Sequence, residues 1–433
     1  MKRQKVRVDC LNQGQSEILK EAINWYYNSP EQVFRIDGKA GTGKSYLIGA
    51  ILQSLNLGPS QYYAMAYTGQ AAIVMRTRGF SHAKSIHSTL YEYRVVKTDR
   101  NEDYSNDSLV KKFGNTYRRG EFCLKKELDD WDIRLFFIDE ASMVPDYMVK
   151  DILSFGVKVI VCGDLHQLPP IHGHGSFLTC GKVWHLTELM RQTEDSPIIW
   201  LAERASNGEP IHEGQYGNVL VINQNEVMPE MFNYGQCVVC GTNATRDYLN
   251  GYIREMRGFR GILPNYGERL ICRKNNWKEE IDHGISLANG LCGTVTMPPD
   301  ASKFSGRTFR INFKPDVTNG EFQFIKCSYD YLTGNLQFKE SLRNLSNPAS
   351  RHVKGEFFDY AYAITTHLSQ GGEFFDGVYI EEPFRAQEQC QLNYTGITRF
   401  KRSLIYVKRV ESSFYVPKTV NDNILYKGEV DGN

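Results

Sequence analysis

Short runs of apolar residues recur along the chain and are separated by stretches whose apolar positions repeat with helical spacing. In the first part of the chain the runs occupy residues 33–36, 62–66, 135–138 and 157–161, and later in the chain residues 219–222, 378–380 and 404–407. Several runs are apolar along nearly their whole length, as strands are when both faces of a parallel sheet are covered. The pattern predicts an α/β protein with two lobes.

Two stretches break this pattern. Residues 92–130 turn polar, with an acidic part followed by a basic part, and predict an insertion in the first lobe. Residues 255–350 contain short segments that alternate with period two between turn residues, and predict a small β barrel inserted in the second lobe. The predicted boundaries are 1–91 and 131–190 for the first lobe, 92–130 for its insertion, 191–254 and 351–411 for the second lobe, 255–350 for the barrel and 412–433 for a tail.

The composition restricts the classes of partner. Among 433 residues, 51 Lys and Arg balance 50 Asp and Glu, so a net charge of +1 gives no general attraction to polyanions, and a nucleic-acid site must be local. The sequence contains no run of about 18 apolar residues, so it predicts no membrane span, and no membrane partner is expected. The basic residues 1–7 are not followed by an apolar segment, so the sequence predicts a cytoplasmic protein without a secretory signal.

The ten cysteines predict reduced thiols and not a disulfide framework, because no export signal is present. Cys237 and Cys240 lie in an apolar run that predicts a buried strand, and His172 and His174 lie in a glycine-rich loop. Neither pair has two further ligands at zinc spacing. The sequence therefore predicts no metal other than an ion that arrives with a nucleotide.

Residues 38–45 satisfy the pattern G-x-x-x-x-G-K-[ST] and directly follow the apolar run 33–36. Such a loop turns backbone N–H groups toward the β-phosphate of a nucleotide, and the helix that follows presents its positive end. Lys44 is expected to reach the β and γ phosphates, and Ser45 to ligate Mg²⁺. The predicted cofactors are ATP and Mg²⁺, and the predicted contacts in the loop are Gly38, Ala40, Gly41, Thr42, Gly43, Lys44 and Ser45.

Carboxylates and an amide follow the next two apolar runs. Asp139 and Glu140 come directly after the run 135–138, where a second P-loop strand places the Asp that holds Mg²⁺. Glu140 is expected to orient and deprotonate water, which favours hydrolysis over phosphate transfer to a bound metabolite. Gln167 follows the run 157–161 and is expected to sense the γ-phosphate.

Two arginines are candidates for the cation that stabilises charge on the transferring phosphoryl group. Arg191 follows the last strand predicted for the first lobe, and Arg399 precedes the run 404–407. A lone arginine more often forms a surface ion pair of little consequence. The position of each of these two arginines beside a predicted strand of the α/β lobes favours the catalytic role.

The order and spacing of these elements resemble the superfamily 1 DNA helicases of the 5′ to 3′ class, most closely the phage Dda-type and RecD-like helicases. The resemblance covers nearly the whole chain. Residues 11–15, with Gln15, are similar to the adenine-reading Q motif, 38–45 to motif I, 66–72 to motif Ia, 85–90 to motif Ib, 139–140 to motif II, 163–167 to motif III, Arg191 to the motif IV arginine, 365–371 to motif V and 394–399 to motif VI.

The resemblance implies two RecA-like lobes with ATP in the cleft between them. There Gln15, Gln167, Gly371, Arg191 and Arg399 would join the P-loop in binding the nucleotide. Single-stranded DNA would cross both lobes, and short hydroxyls and imidazoles suit contacts to phosphate and sugar that require no particular base. The residues that carry over as DNA contacts are Thr68, His87, Thr242, Asn243, Thr365 and His367.

The two insertions also match the layout of the family, which carries a strand-splitting pin in the first lobe and an SH3-like β barrel in the second. Aromatic residues of the first insertion interleave with Lys and Arg, as in a surface that stacks bases. They are Phe113, Tyr117 and Phe122. A solvated face over a small core stays open as the alternative. Leu368 departs from the family, which commonly has Lys there, and predicts weaker DNA affinity or a shallower salt dependence.

The expected function is an ATP-dependent DNA helicase that moves along single-stranded DNA, 5′ to 3′ by resemblance, and unwinds duplex. The alternatives are a single-stranded nucleic-acid-dependent ATPase or remodeller that does not unwind, a P-loop kinase or nucleotide switch, and a non-enzymatic strand-binding protein with a vestigial pocket. The expected partners are single-stranded DNA, duplex junctions and replication or recombination proteins. DNA in preference to RNA, a role in replication, recombination or repair, a phage origin with location in the host cytoplasm, and a monomeric state are further expectations.

Overall fold

The computed structural model describes residues 10–99, 116–130, 132–170, 175–189, 196–281, 285–300, 306–343 and 353–409. The basic segment 1–7, His172, His174 and the predicted tail lie outside these residues. Contacts divide the chain into unit 1 (Met1–Glu194, Arg260–Ala361 and Gln370–Gly372) and unit 2 (Asp195–Phe259, Tyr362–Ser369 and Glu373–Asn433). In the part of the chain that is described, no helix is long and apolar enough to cross a membrane.

A parallel sheet of six strands forms the centre of unit 1, in the order β3-β2-β6-β7-β1-β8. Its strands are β1 (Val33–Gly38), β2 (Tyr62–Ala66), β3 (Lys84–Ser85), β6 (Leu135–Asp139), β7 (Lys158–Gly163) and β8 (Val183–Leu186). The helices that accompany it are α1 (Gln13–Asn28), α2 (Lys44–Ser54), α3 (Gly69–Thr77), α4 (Ile86–Leu90), α5 (Asp146–Ser154) and α6 (Ser176–Thr179).

Both faces of this sheet are buried, which explains the uninterrupted apolar runs. On β6, Leu135 and Phe137 join one hydrophobic cluster, whereas Phe136 and Ile138 join another. Alternate side chains of a strand point to opposite faces of the sheet, so the two clusters cover the two faces. The predicted α/β class, with a parallel sheet covered on both sides, is confirmed.

β4 (Tyr91–Asp99) and β5 (Thr116–Leu124) form an antiparallel hairpin within the insertion predicted for the first lobe. Phe113 lies outside the described residues, and the structure describes only the backbone of Tyr117 and Phe122. The base-stacking surface on this hairpin therefore stays a prediction.

The segment predicted as a barrel forms an antiparallel sheet in the order β17-β16-β15-β12-β18, with β13 and β14 paired separately. Its elements are β12 (Arg269–Cys272), β13 (Asn276–Ile281), β14 (Ile285–Leu287), β15 (Cys292–Met297), β16 (Thr308–Pro315), β17 (Phe322–Ser328), α9 (Tyr329–Thr333), α10 (Leu336–Arg343) and β18 (Phe358–Tyr360). The Ser328 N–H donates to the Glu356 carbonyl at 2.8 Å, and the Glu356 N–H donates to the Lys326 carbonyl at 2.7 Å. These bonds join the edge strand β17 to the segment that enters β18, so the sheet closes into a small barrel.

The barrel belongs to unit 1 by packing, although its sequence interrupts unit 2. Ile73 of α3 lies in the barrel core together with Leu287 and Ala288. At Gly69 of the same helix, an added Cβ would lie 2.5 Å from the Cβ of Ala288, so the approach requires glycine. The barrel is therefore attached to the helix that follows Thr68. The boundaries predicted for the individual domains stay predictions.

Unit 2 is built on a second sheet of six strands, in the order β19-β11-β20-β21-β10-β9, parallel except for the edge strand β9. Its elements are α7 (Pro197–Ser206), β9 (Gly214–Tyr216), β10 (Val219–Asn223), β11 (Cys237–Cys240), α8 (Asn243–Met256), β19 (Ala363–Thr365), α11 (Thr366–Ser369), β20 (Phe374–Ile380), α12 (Ala386–Ile397) and β21 (Phe400–Lys408). Cys237 and Cys240 lie in a fully buried strand, as predicted.

Candidate nucleotide and nucleic-acid site

The P-loop lies at the carboxyl end of β1 and leads into α2. Gly41 and Gly43 have φ angles of 84° and 79°, which glycine adopts without strain, and Gly43 is the N-cap of α2. A Cβ on Gly38 would lie 2.7 Å from the hydroxyl of Thr42, so this position also requires glycine. The loop thereby presents the positive end of an 11-residue helix to an anion.

Lys44 is folded over the loop. Its ammonium group donates hydrogen bonds to the backbone carbonyls of Gly38 and Lys39, the latter at 3.0 Å. The hydroxyl of Thr42 donates to the same Lys39 carbonyl at 2.9 Å. Lys44 is therefore held by oxygen atoms of the loop itself, which are hydrogen-bond acceptors as phosphate oxygens are.

Gln15 supports the loop from α1. Its carboxamide is fully buried and donates to the carbonyl of Thr42 at 3.1 Å. The same side chain accepts a hydrogen bond from the backbone N–H of Asn12, whose own side chain caps α1. The structure thus gives Gln15 a part in holding the P-loop, while its contact with adenine stays a prediction.

Ser45, the predicted Mg²⁺ ligand of the loop, accepts a hydrogen bond from the guanidinium of Arg78 at 3.0 Å. Arg78 is exposed and follows the last residue of α3. Among the described residues, no group of three or more His, Cys, Asp or Glu side chains is arranged to hold a metal ion. Mg²⁺ that arrives with a nucleotide commonly takes only one or two protein oxygens besides phosphates and waters, and the Ser45 hydroxyl is such an oxygen.

Asp139 and Glu140 lie at the carboxyl end of β6. The buried carboxylate of Asp139 accepts the backbone N–H of Glu140 at 3.0 Å. Glu140 has a φ of 52°, a left-handed conformation uncommon outside glycine, so the backbone turns sharply at this point. Burial raises the pKa of the Cys162 thiol, Asp139 raises that pKa further, and Lys44 lowers it. β6 pairs in parallel with β7, which pairs in parallel with β1, so Asp139 and the P-loop lie at the same edge of the sheet with Cys162 of β7 between them.

Another carboxylate, not singled out in the sequence, ties the P-loop strand to the loop after β7. Asp37 accepts the backbone N–H of Leu165 at 2.9 Å and contacts Nδ1 of His185 at 3.0 Å. Within the loop, the fully buried Asp164 accepts the backbone N–H of His166 at 3.0 Å. These contacts fix the loop that carries the predicted γ-phosphate sensor.

That sensor, Gln167, is buried, and its backbone N–H donates to the carbonyl of Asp164 at 3.1 Å. Its side-chain oxygen has no hydrogen-bond partner within the described part of the chain, and neither has the hydroxyl of Ser142, two residues after Glu140. Buried polar atoms are nearly always paired in folded proteins, with protein, water or a ligand. The Ser142 hydroxyl can donate to a phosphate oxygen, whereas the Gln167 oxygen can only accept and fits a water or another donor at the same edge of the sheet.

Arg399 lies in unit 2, between α12 and β21. Its side chain is buried and donates hydrogen bonds to the carbonyl of Thr395 at 3.0 Å and to the hydroxyl of Thr398 at 3.3 Å. The other candidate, Arg191, lies outside the described residues. The action of both arginines on the transferring phosphate stays a prediction.

Thr68 and Gly371 lie together in unit 1. Thr68 caps α3 by accepting the backbone N–H of Ala71 at 3.1 Å. Gly371 has a φ of 75°, and an added Cβ would lie 3.0 Å from the Thr68 hydroxyl and 2.6 Å from the Cβ of Ala71. Next to it, Gln370 donates to the carbonyl of Leu168 at 3.2 Å. The structure therefore places Gly371 beside a predicted DNA contact, and its contact with the nucleotide stays a prediction.

His87 lies in α4, close to two tyrosines. The centroid of its ring is 6.4 Å from that of Tyr67 and 5.3 Å from that of Tyr91. Burial lowers the pKa of His87 below its usual value, so the imidazole is neutral at neutral pH. A neutral ring can stack or share a hydrogen bond with a strand, but it does not neutralise a phosphate.

A carboxylate occupies the start of α8 in unit 2. Glu382 accepts hydrogen bonds from the backbone N–H groups of Gly241 and Thr242, the latter at 2.8 Å. It also accepts from the hydroxyls of Thr242 at 3.0 Å and Thr245 at 2.5 Å. Negative charge is favoured at this end of a helix. The predicted DNA contact Thr242 is thus bonded to an acidic group of its own unit.

The remaining residues of unit 2 that are predicted to contact DNA also interact with groups of their own unit. Asn243 accepts a hydrogen bond from Arg246 at 2.8 Å, and the buried Thr365 accepts the backbone N–H of Leu368 at 3.3 Å. Burial lowers the pKa of His367 despite a nearby carboxylate. The interaction of these residues with nucleic acid stays a prediction.

Three charged residues of the candidate site were not predicted from the sequence, namely Asp37, Arg78 and Glu382. Arg78 and Glu382 reach their partners only through the tertiary fold, so no local pattern identifies them. Asp37 alone has a local signal, because it directly precedes the first glycine of the P-loop.

Comparisons with known proteins agree with this arrangement. A family model described as AAA domain matches residues 10–220. The ATP-dependent DNA helicase Pif1 of Bdellovibrio bacteriovorus is 29% identical over 173 residues, which make up 37% of this chain and 34% of the relative. The match thus spans about a third of the length of that relative.

Solved structures share the fold over most of the chain. The Pif1 helicase from Candida albicans superposes with a TM-score of 0.51 at 17% identity and covers 92% of this chain and 94% of that protein. Bacteroides Pif1 bound to single-stranded DNA superposes with a TM-score of 0.51 at 16% identity and covers 92% of both chains. The resemblance to superfamily 1 helicases of the 5′ to 3′ class is confirmed, as is the fold of two lobes.

Proposed function

We propose that this chain, which shares the fold of the Pif1 helicases, hydrolyses ATP to move along single-stranded DNA and to unwind duplex DNA. The observation that carries the proposal is the position of the P-loop, the acidic pair Asp139 and Glu140, and the buried Gln167 at one edge of the same parallel sheet in unit 1. The names of the relatives add support, since one is an ATP-dependent DNA helicase and another is bound to single-stranded DNA.

In the proposed reaction, the N–H groups of the P-loop and the ammonium of Lys44 bind the β and γ phosphates of ATP. Ser45 and Asp139 would hold Mg²⁺, which would neutralise phosphate charge. Glu140 accepts a proton from the attacking water. Gln167, held in the loop after β7, contacts the γ-phosphate and responds to its loss.

Hydrolysis also needs cations for the charge on the transferring group, and we assign these to Arg399 and Arg191. The strand contacts are assigned to Thr68 and His87 in unit 1 and to Thr242, Asn243, Thr365 and His367 in unit 2. Binding and hydrolysis of ATP change which unit holds the strand more tightly. This difference is essential, because a motor whose states held DNA equally would hydrolyse ATP without moving.

Further features of the proposal rest on the resemblance to the family. They are movement from 5′ to 3′, action at duplex junctions, separation of strands by the hairpin β4–β5, and support of the DNA by the barrel. Action as a monomer in the cytoplasm, with a role in replication, recombination or repair, belongs to the same proposal.

The test combines ATP hydrolysis and unwinding in one preparation. We expect single-stranded DNA to stimulate hydrolysis, and duplexes with only a 5′ tail to be unwound while duplexes with only a 3′ tail are not. Lys44→Ala and Glu140→Gln should abolish the stimulated hydrolysis while oligonucleotide binding persists. Arg399→Ala should lower turnover far more than ATP affinity.

Other outcomes would favour the alternatives. ATP turnover that DNA does not change would contradict the proposal and favour a nucleotide switch or kinase. Stimulated hydrolysis without unwinding from either tail would favour a translocase or remodeller. ATP binding without hydrolysis in saturating oligonucleotide would favour a strand-binding protein that is not an enzyme. Stronger stimulation of hydrolysis by RNA than by DNA would indicate that the protein moves along RNA.

A further inference from the structure

Four aromatic side chains lie together in unit 1 beside the predicted contacts for single-stranded DNA. This aromatic cluster consists of Tyr67, His87, Tyr91 and Tyr147. Tyr67 directly precedes Thr68, the predicted contact after β2, and the ring of His87 lies 6.4 Å from that of Tyr67 and 5.3 Å from that of Tyr91. The cluster is therefore assembled where β2 and β3 end, at the carboxyl edge of the sheet.

Tyr147 joins the cluster from the first turn of α5. The two residues after it, Met148 and Val149, share a hydrophobic cluster with Tyr91, and Tyr67 packs against that cluster. The small effect of Tyr147 on the pKa of Tyr67 and Tyr91, in addition to the larger effect of burial, agrees with this placement. The hydroxyl of Tyr91 donates to Asp151 on the same helix at 2.6 Å. This bond fixes α5 against the rest of the cluster, so Tyr147 is presented on a rigid element.

Exposure increases along the cluster from the core outward. Tyr91 is buried, Tyr67 and His87 are half-buried, and Tyr147 is 54% exposed. Single exposed aromatic residues are common on soluble proteins, so exposure alone carries little weight. Tyr147 differs because its helix is bonded to Tyr91 through Asp151, and because Thr68 and His87, both predicted strand contacts, lie within or next to the same cluster.

The cluster is uncharged near neutral pH. Burial lowers the pKa of His87 and raises the pKa of Tyr67 and Tyr147. Neutral rings do not pair with phosphates, but their faces stack on bases of any identity. Such contacts suit a protein that must move along every sequence.

We propose that Tyr147, carried by the helix that Tyr91 contacts through Asp151, stacks on a nucleobase of the bound single strand. The inference rests on the proposed function and deepens it, because the strand contacts assigned to Thr68 and His87 address phosphate and sugar, and the predicted base-stacking residues lie in the hairpin insertion and not at this edge of the sheet. Stacking on one aromatic side chain changes affinity by roughly five- to 150-fold.

The test compares oligonucleotides with and without bases. Wild-type protein, Tyr147→Ala and Tyr147→Phe are titrated with labelled oligo-dT and with an abasic strand of equal length and charge. We expect Tyr147→Ala to weaken binding of oligo-dT about tenfold and to bind the abasic strand like the wild type, since that strand has no ring to stack. Tyr147→Phe keeps the ring and should bind both strands like the wild type.

Tyr27→Ala is the matched control. Tyr27 is 65% exposed and packs edge-on against Tyr26, but it lies at the end of α1 before β1, at the opposite edge of the sheet from Thr68. This variant should bind both strands like the wild type. The salt dependence should be equal for all variants, because tyrosine neutralises no phosphate.

Two results would overturn the base contact while leaving the proposed function intact. The first is that Tyr147→Ala binds oligo-dT as tightly as the wild type does. The second is that Tyr147→Ala loses the same affinity for oligo-dT as for the abasic strand. A wild-type protein that binds no single strand at all would instead overturn the proposed function.

Discussion

The guanidinium of Arg78 donates a hydrogen bond to the hydroxyl of Ser45 at 3.0 Å, although 33 positions separate the two residues. Ser45 is the predicted protein ligand of Mg²⁺, so a positive charge lies beside the expected position of a divalent cation. Like charges at such distances repel each other, although water weakens the effect at an exposed side chain. If Ser45 ligates Mg²⁺ as proposed, Arg78 would compete with the ion for this hydroxyl.

Arg78→Ala is expected to lower the Mg²⁺ concentration that gives half-maximal ATP hydrolysis, by about two- to fivefold for an exposed charge. A Mg²⁺ titration at fixed ATP measures this change. Arg78→Lys keeps the positive charge and should stay close to the wild type. An unchanged half-maximal concentration with a lower maximal rate would instead assign Arg78 to the phosphates of ATP.

Asp37→Ala is expected to lower the thermal midpoint and the DNA-stimulated rate together. The substitution leaves the backbone N–H of Leu165 without its acceptor, which costs about 1–3 kcal/mol when the group is buried, and it loosens the loop that carries Gln167. Asp37→Asn keeps an acceptor oxygen and should retain most of both properties. A wild-type rate in Asp37→Ala would mean that the loop is held by other contacts.

Glu382→Gln is expected to strengthen binding of single-stranded DNA a few-fold at low salt. It removes negative charge next to Thr242 while keeping an acceptor for the start of α8. The gain should fade at high salt, where such charges are screened. Fluorescence anisotropy at two salt concentrations measures it, and unchanged affinity would place Thr242 away from the strand.

Glu382→Ala serves a different purpose, since it removes the acceptor as well as the charge. Its free energy of unfolding, measured with denaturant, should fall by about 1–3 kcal/mol. A stability equal to that of the wild type would show that water replaces the carboxylate at the start of α8.

Leu368→Lys restores the cation that is common in the family at this position. It should increase affinity for single-stranded DNA and make the dependence on log salt steeper by about 0.7, the change expected for one more neutralised phosphate. Binding titrations across several salt concentrations measure the slope. Leu368→Met is a neutral control, and an unchanged slope in the lysine variant would remove this position from the DNA path.

The pH dependence of stability should reflect His87 and His367, whose pKa values are both lowered by burial. Below about pH 6.5 the unfolded chain binds more protons at these positions than the folded chain, so stability decreases as the pH falls through that value. The thermal midpoint of the double variant His87→Gln/His367→Gln should fall less steeply between about pH 7.5 and pH 5.5 than that of the wild type. If the thermal midpoints of the wild type and the double variant fell in parallel with pH, the lowered pKa values of His87 and His367 would be contradicted.

The nucleotide half of the candidate site follows from local sequence. Apolar runs predicted the strands because both faces of each sheet are buried, and the residues just beyond those runs therefore fall at the carboxyl edge. The positions of Lys44, Asp139 and Gln167 could be predicted in this way. Their bonding in the folded protein could not, because Lys44 turns to carbonyls of its own loop.

Contacts between distant segments could not be predicted from the sequence. Glu382 and Thr242 are 140 positions apart, and nothing in the residues around either one indicates the other. The attachment of the barrel to α3 depends on the close approach of Gly69 and Ala288, whereas the order of segments along the chain places the barrel within unit 2. Packing, and not chain order, decides such assignments.

The chain crosses from one unit to the other five times, after residues 194, 259, 361, 369 and 372. Neither half can therefore be obtained as a truncated fragment: a polypeptide that stops at residue 259 lacks both the barrel and the strands β19, β20 and β21. The proposed ATP hydrolysis and strand binding therefore have to be separated by point substitutions and not by truncation.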